Sequence, residues 1–300
     1  MRIKSFYHGV FYTLLASVFW GVPQPLFFNN ISFIPALEVA LHRGLWSFIF
    51  LLVLITLTGK INEFLDIFKS NRKIIFLSIT ALLIAINWTG FILAVSINRI
   101  QDASMGYYMT PMISIMLGYF FLNEKISKLK LISILMMMGS LIFLLISLQT
   151  LPILAIIIGV TWGVYGLLRK QINVKSEIGL LYESGLITLI ALPYLYYLDL
   201  NETGFFLNSS PIISLFLILT GLITIFPLFF FNLGLKSIPL GFAGIIFFIA
   251  PSLHFITSIF ILDETLSISK LIGFIIIWIA VIIFIISIFN EEKFNESNTQ

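Results

Sequence analysis

The sequence has no cysteine and very little charge. The absence of cysteine excludes disulfides, thiolate metal ligands and cysteine nucleophiles. Asp, Glu, Lys and Arg make up only 10% of the 300 residues, whereas they make up about 25% of a soluble domain. Because a water-facing surface needs charged side chains, this composition excludes an ordinary soluble protein.

Histidine is also scarce, and the motifs of common enzymes are missing. The three histidines, His8, His42 and His254, are far apart in the sequence, so no metal site and no cofactor is predicted. Zinc-protease, nucleophile-elbow and phosphate-loop motifs do not occur. The net charge of +3 is small, and the basic residues lie in short clusters between apolar runs. We therefore predict neither an enzyme nor a nucleic-acid-binding protein.

Long apolar runs are what the sequence has in abundance. Hydrophobic residues make up 59% of the chain, and the mean hydropathy is +1.08. A membrane-spanning helix needs about 20 apolar residues, and its backbone groups must be satisfied within the segment. The sequence predicts an all-α polytopic membrane protein with ten transmembrane helices, at residues 8–28, 36–58, 73–97, 102–122, 129–148, 152–168, 178–198, 211–233, 240–262 and 268–289.

The basic residues indicate the orientation of these spans. If the N-terminus is cytoplasmic, fourteen of the seventeen Lys and Arg residues fall in inside segments. Only Arg99 and Lys270 fall in outside loops, and Arg43 lies within a span. Because cytoplasmic loops carry an excess of Lys and Arg, both termini are predicted to be cytoplasmic. Residues 291–300 form a short polar cytoplasmic tail in this prediction.

The sequence resembles itself at a shift of about 140 residues. The letters VFWGV at 18–22 recur as VTWGV at 160–164, and Pro111 and Glu124 recur as Pro251 and Glu264. Five spans per half is an odd number, so the second half enters the membrane from the opposite side. We predict two inverted five-helix repeats, 1–148 and 149–290. Such repeats are typical of secondary transporters, which bind substrate near the midplane; a duplicated membrane scaffold is the alternative.

Several motifs of the chain resemble those of one protein family. They are Trp20-Gly21-Val22-Pro23, Pro35-Ala36-Leu37-Glu38, His42-Arg43, Asn87-Trp88, Gly106-Tyr107, Glu183-Ser184 and Ile249-Ala250-Pro251. From about residue 9 to residue 287 the chain resembles RarD-like proteins of the EamA family, in the drug/metabolite transporter superfamily. The resemblance implies ten helices in two EamA repeats, a multi-pass location in the inner membrane, and export of small metabolites or drugs, with an association with chloramphenicol sensitivity.

Ionisable residues inside the predicted spans are candidates for function because they are costly to place in a bilayer. Arg43 and Glu183 lie in counterpart spans of the two repeats, about 10 Å apart in depth. They are predicted either to gate the pathway or form an ion pair, or to be structural charges. Glu38 and His42, one helical turn apart, are candidates for proton coupling. For His42 and His254 the alternative is a hydrogen-bonded packing histidine.

Aromatic and polar residues around two mid-span prolines predict the substrate pathway. Pro111 and Pro251 each leave a helical carbonyl without its donor, which is tolerated where the backbone lines a cavity. We expect both prolines to interrupt their helices. The predicted pathway residues are Trp20, Asn87, Trp88, Tyr107, Tyr108, Thr110, Pro111, Trp162, Tyr165, Pro251 and His254. Plain packing is the alternative for the aromatic residues, since the chain has 31 Phe and 10 Tyr.

These features predict a secondary transporter that works by alternating access and exports a small amphipathic metabolite or drug. A non-transporting membrane scaffold or ligand sensor with the same fold is the alternative. The predicted partners are a small-molecule substrate and the lipid bilayer, and a homodimer is left open. The sequence specifies neither the substrate nor the coupling ion.

Overall fold

The computed structural model describes residues 3–97, 99–148, 153–261 and 268–297. Arg2, which entered the charge count, and Glu264, which the repeat matches to Glu124, lie outside the described residues. Those residues fold into thirteen α-helices and no strand: α1 (Ile3–Gly21), α2 (Pro23–Asn29), α3 (Ala36–Leu57), α4 (Ile61–Leu65), α5 (Asn71–Ser96), α6 (Ile100–Leu122), α7 (Lys128–Leu148), α8 (Ile153–Gln171), α9 (Ser176–Leu200), α10 (Pro211–Leu235), α11 (Leu240–Phe247), α12 (Ile249–Phe260) and α13 (Ile268–Ser297).

The described helices follow the ten predicted spans. Among the described residues, nine segments are long and apolar enough to cross a membrane, and α7, with 21 residues, occupies the position of the fifth predicted span. The short helix α4 lies in a loop and was not predicted. Helix α13 continues to Ser297, so most of the predicted polar tail is helical. The all-α, polytopic class is confirmed.

Two of the membrane-crossing segments are each broken into two helices. The first, Lys4–Asn29, is interrupted at Val22, directly before Pro23. The ninth, Leu240–Phe260, is interrupted at Phe248, three residues before Pro251. Proline lacks a backbone donor and disfavours a helical residue before it. Sequence reasoning predicted breaks in the fourth and ninth spans. It was wrong for the fourth, because α6 continues through Pro111 as one helix.

Helices at equivalent positions of the two halves pack against each other. Helix α3 contacts α9, α7 contacts α13, and α6 contacts α11 and α12. The contacts between non-equivalent helices are also paired, since α1 packs on α10 and α5 packs on α8. This pattern of contacts is the one expected when a two-fold axis relates the two halves. With five crossing segments in each half, the axis lies in the membrane plane, which is the inverted arrangement of many transporters.

Small residues bring the two halves into close contact where α6 crosses α8. A Cβ atom on Gly106 would lie 2.6 Å from the carbonyl oxygen of Ala155, and one on Gly159 would lie 2.5 Å from that of Gly106. Any larger residue at either position would push the helices apart. Close backbone approach at small residues is a common basis for helix association in membranes, and here it joins the first repeat to the second.

Candidate functional site

A small cavity lies between the two halves of the bundle. Its lining comes from α1, α2, α3, α5 and α6 of the first half and from α8, α11 and α12 of the second: Trp20, Gln24, Arg43, Asn87, Trp88, Phe91, Tyr107, Trp162, Phe247 and His254. The cavity volume is about 20 Å³, which is room for about one water molecule. In this conformation the cavity is therefore almost closed, since pockets for drug-sized ligands have volumes of about 300–1,000 Å³.

The walls of the cavity are mainly aromatic. The rings of Trp20 and Trp162 meet edge to face, with centroids 5.0 Å apart. Phe247 lies 5.1 Å from Trp162 and 5.5 Å from Tyr107, again between ring centroids. The two tryptophans come from the matched WGV motifs of the two repeats, so the two-fold arrangement is what brings them together. The result is a rigid apolar wall shared by both halves.

Asn87 links three helices beside the cavity. Its side-chain nitrogen donates to the carbonyl oxygen of Ile158 at 2.9 Å and to the hydroxyl of Thr161 at 3.2 Å. Its oxygen accepts a hydrogen bond from the hydroxyl of Tyr107 at 3.1 Å. Both the amide nitrogen and the amide oxygen of Asn87 are thus hydrogen-bonded within the protein. Asn87 fixes the orientation of Tyr107 and connects the first repeat to α8.

Among the described residues that line the cavity, Arg43 is the only charged one, and it is 2% exposed. The guanidinium Nε donates to Thr224 Oγ1 at 2.9 Å. The guanidinium carbon lies 4.8 Å from the ring centre of Phe28 and 4.6 Å from that of Trp88, which are cation–π distances. Nη1 is buried and has no hydrogen-bond partner among the described residues.

His254 lies at the break in the first membrane-crossing segment. Its Nε2 is 2.7 Å from the carbonyl oxygen of Trp20, and since a carbonyl only accepts, Nε2 carries the hydrogen. Thr257, one turn along the same face, donates to the carbonyl oxygen of Gly21 at 3.4 Å. Pro25 cannot donate to that oxygen within the helix. These contacts agree with a hydrogen-bonded packing histidine, which also lines the cavity.

Glu183 belongs to a separate polar network. Its carboxylate accepts hydrogen bonds from Thr80 at 2.7 Å and Tyr165 at 3.3 Å, and Tyr165 in turn accepts one from Asn232 at 2.9 Å. Arg169 Nη1 lies 3.6 Å from the carboxylate, and both side chains are at most 2% exposed. The predicted ion pair between Arg43 and Glu183 is therefore not formed, because Arg169 is the cationic partner of this carboxylate.

The cavity omits several residues that the sequence placed in the pathway. Tyr108 follows Tyr107 by about 100° around α6, so it faces Phe248 and Phe274 instead, at centroid distances of 5.2 Å and 3.9 Å. Pro111 packs against α11, where a Cβ atom on Gly244 would lie 3.2 Å from the proline Cα. The predicted residues outside the lining are Tyr108, Thr110, Pro111, Tyr165 and Pro251.

Three lining residues were not predicted from the sequence. Gln24 is a polar residue between Pro23 and Pro25 in an otherwise apolar run, and this signal could have identified it. Phe91 and Phe247 carry no such signal, because they are two of 31 phenylalanines. Their place in the cavity follows from helix packing alone.

Glu38 and His42 lie away from the central cavity. They border a second cavity of about 230 Å³ between α3, α9 and the loop that follows α9. Glu38 Oε1 accepts a hydrogen bond from the backbone nitrogen of Phe205 at 2.7 Å, and His42 Nδ1 accepts one from Trp46 at 3.3 Å. No hydrogen bond joins the two side chains to each other. Proton coupling through them stays a prediction.

Two ion pairs connect the loops of the two repeats at the side predicted to be cytoplasmic. Lys60 contacts Glu177 at 2.7 Å, and Lys175 contacts Glu63 at 2.8 Å. The hydrogen bond and the charge of Glu177 raise the pKa of Lys60. The first member of each pair donates to a carboxylate of the opposite half, so both pairs hold the segment between α3 and α5 against the start of α9.

The fold and the cavity together define a class of protein: a multi-pass membrane protein with two inverted repeats around a shared central site. The chain belongs to the EamA-like transporter family, whose sequence model matches residues 8–146 and 150–286. It is 32% identical over 293 residues to the "Uncharacterized transporter YojE" of Bacillus subtilis, covering 97% of each chain. It is 30% identical over 293 residues to "Protein RarD" of Escherichia coli, covering 98% of this chain and 99% of that one.

A solved crystal structure has the same fold. It aligns with a TM-score of 0.65 over 93% of this chain and 97% of its own, at 12% sequence identity. The family and the membrane-crossing helices make this chain a RarD-like, multi-pass membrane transporter of the inner membrane. Relatives named as transporters also agree with a function that is not enzymatic.

Proposed function

We propose that the protein is a secondary transporter that works by alternating access and exports a small amphipathic metabolite or drug. The observation that carries this proposal is the central cavity, which residues of both repeats line. Inverted repeats can exchange conformations, so one shared site can open to each side in turn. Aromatic walls with a few polar groups suit a small amphipathic molecule.

The surroundings of the cavity support a gated site. The network of Glu183, Arg169 and Tyr165 and the two ion pairs Lys60–Glu177 and Lys175–Glu63 all lie on the side predicted to be cytoplasmic. The helix breaks at Val22 and Phe248 lie next to lining residues, and such breaks are places where a helix bends. In this proposal the cavity of about 20 Å³ is nearly occluded and widens when substrate enters.

Flux through the purified protein tests the proposal. Liposomes that contain only this protein should release preloaded radiolabelled chloramphenicol faster than protein-free liposomes, with a rate that saturates with concentration. Chloramphenicol is the first probe because RarD-like proteins are associated with sensitivity to it, and a panel of small amphipathic compounds follows. Saturable binding of a probe without flux would favour the alternative function, a non-transporting ligand sensor.

A further inference from the structure

We propose that the substrate of the central cavity is a small organic anion with a flat apolar body, held by Arg43. This inference rests on the proposed transport function and names its substrate class. A charge inside a membrane protein normally has a partner of opposite charge or hydrogen bonds that compensate it. Arg43 has no carboxylate partner among the described residues, so the protein leaves a positive charge at the site.

The surroundings of the guanidinium compensate this charge only in part. Thr224 accepts a hydrogen bond from Nε, and its own hydroxyl donates to the carbonyl of Thr220 at 2.7 Å. The faces of Phe28 and Trp88 attract a cation, but neither ring is an anion. The cavity has room for about one water molecule, so hydration is also minimal. An unpaired buried charge of this kind is strongly unfavourable.

The carboxylate in the equivalent span of the second repeat is not available to Arg43. Glu183 is occupied by Arg169, Thr80 and Tyr165. The remaining nine lining residues carry no charge when His254 is neutral. An anion in the cavity would therefore supply the missing partner, and the planar guanidinium would bind a carboxylate, sulfonate or phosphate group through charge-assisted hydrogen bonds.

The aromatic walls indicate the rest of the molecule. Trp20, Trp88, Phe91, Trp162 and Phe247 surround the space beside the guanidinium. Flat rings favour a flat apolar or aromatic body through stacked and edge-to-face contacts. A bare inorganic anion such as chloride would leave these walls without a partner. The structure thus favours an amphipathic organic anion.

Binding of matched probes tests this substrate class independently of flux. Benzenesulfonate and benzenesulfonamide have nearly the same shape, but only the first is fully ionised at neutral pH, and benzyltrimethylammonium is a cation of similar size. Quenching of tryptophan fluorescence or calorimetry on the purified protein in a chloride-free buffer measures the affinity. We expect benzenesulfonate to bind about tenfold or more tightly than benzenesulfonamide, and the cation not to bind.

Variants assign this preference to Arg43. Arg43→Gln should reduce the anion preference to about twofold or less, whereas Arg43→Lys, which keeps the charge but loses the planar group, should retain part of it. Arg72→Gln is the matched control, because Arg72 also lies over a ring, that of Phe76 at 5.4 Å, but outside the cavity. It should leave the preference unchanged.

The comparison in the unaltered protein decides the proposal even if Arg43→Gln does not fold. Equal affinity for the anion and its neutral analogue, tighter binding of the cation, or no saturable binding of the anion would overturn it. Displacement of benzenesulfonate by an equimolar chloride salt would assign the site to an inorganic anion and also overturn it. If these results came with saturable flux of a neutral probe, the transport function would stand while the substrate class would fall.

Discussion

At the scale of single residues, the pairing of Arg169 with Glu183 is a buried ion pair inside the bundle. The two side chains are 1% and 2% exposed, and Arg169 Nη1 lies 3.6 Å from the carboxylate. Arg169 also reaches the backbone carbonyl of Ser176 at 3.3 Å. Removing one member leaves the other charged and buried, which is more costly than the pair itself is favourable.

We therefore expect Arg169→Met to destabilise the protein by about 3–5 kcal/mol. The double variant Arg169→Met/Glu183→Gln should recover much of this loss, since neither charge then remains without a partner. Thermal or denaturant unfolding in detergent micelles measures both effects. As a control, Arg43→Met and Glu183→Gln should add to within about 0.5 kcal/mol, because these residues share no partner. Strong coupling between Arg43 and Glu183 would contradict the pairing seen here.

The sequence identified Arg43 and Glu183 but could not assign their partners. Charged residues within apolar runs are conspicuous, so burial was predictable for both. Arg169 looks like a loop residue that fixes orientation, because it sits beside Lys170 at the end of a span. Only the three-dimensional path of its side chain, back into the bundle, shows that it neutralises Glu183.

At the scale of helices, the ion pairs Lys60–Glu177 and Lys175–Glu63 join the segment between α3 and α5 to the start of α9. In the proposed mechanism these two segments separate when the cytoplasmic side opens. In each pair at least one residue is partly exposed, with Lys60 at 35% and Lys175 at 56%. Exposed ion pairs contribute little to stability, because solvent screens the charges and ordering two long side chains costs entropy. Contacts of this strength are suited to a gate, because they close a passage but break readily.

A reversible bridge between positions 60 and 177 should therefore stop transport. The double variant Lys60→Cys/Glu177→Cys introduces the only thiols in a chain that has none. A short bis-methanethiosulfonate linker should reduce flux at least about tenfold if this side must open in each cycle, and a reductant should restore it. The single variant Lys60→Cys, treated in the same way, should keep its flux. Undiminished flux through fully bridged protein would show that these segments do not separate.

Helix positions were predictable from hydropathy, whereas helix breaks were predictable only in part: the break in the ninth span was expected, but the one at Val22 was not, and the one expected at Pro111 does not occur. Each apolar run became a helix because the bilayer requires internal hydrogen bonds. Pro111 and Pro251 are matched in the two repeats, yet α6 accommodates the first while α11 ends just before the second. Whether a proline breaks a helix depends on the neighbours that satisfy the freed carbonyls, and these are set by tertiary packing.

At the scale of the whole molecule, the inverted repeat explains why the site is shared but not symmetric. Arg43 on α3 binds Thr224 on α10, and Glu183 on α9 binds Thr80 on α5. The two arrangements are counterparts under the two-fold axis, but the charges are opposite. The sequence repeat predicted that Arg43 and Glu183 lie in equivalent spans, but it did not predict their threonine partners.

The orientation of the molecule in the membrane follows from its basic residues and is open to a direct test. Asn173 and Asn201 are both exposed asparagines at helix-connecting segments, on opposite sides of the predicted topology. A thiol at Asn201→Cys should react with an impermeant maleimide applied to intact cells, and one at Asn173→Cys should react only after permeabilisation. The reverse labelling pattern would show that both termini lie outside.

The guanidinium of Arg43, which has no carboxylate partner among the described residues, would also have a kinetic consequence in the proposed transport cycle. If the site binds an anion as proposed, the loaded protein presents a neutral site while it is occluded, whereas the empty protein carries the charge of Arg43 through the same low-dielectric state. The empty carrier should therefore reorient more slowly than the loaded one. Such a carrier exchanges substrate across the membrane faster than it moves substrate in one direction. Its empty return step would also respond to membrane voltage, because there a charge moves alone.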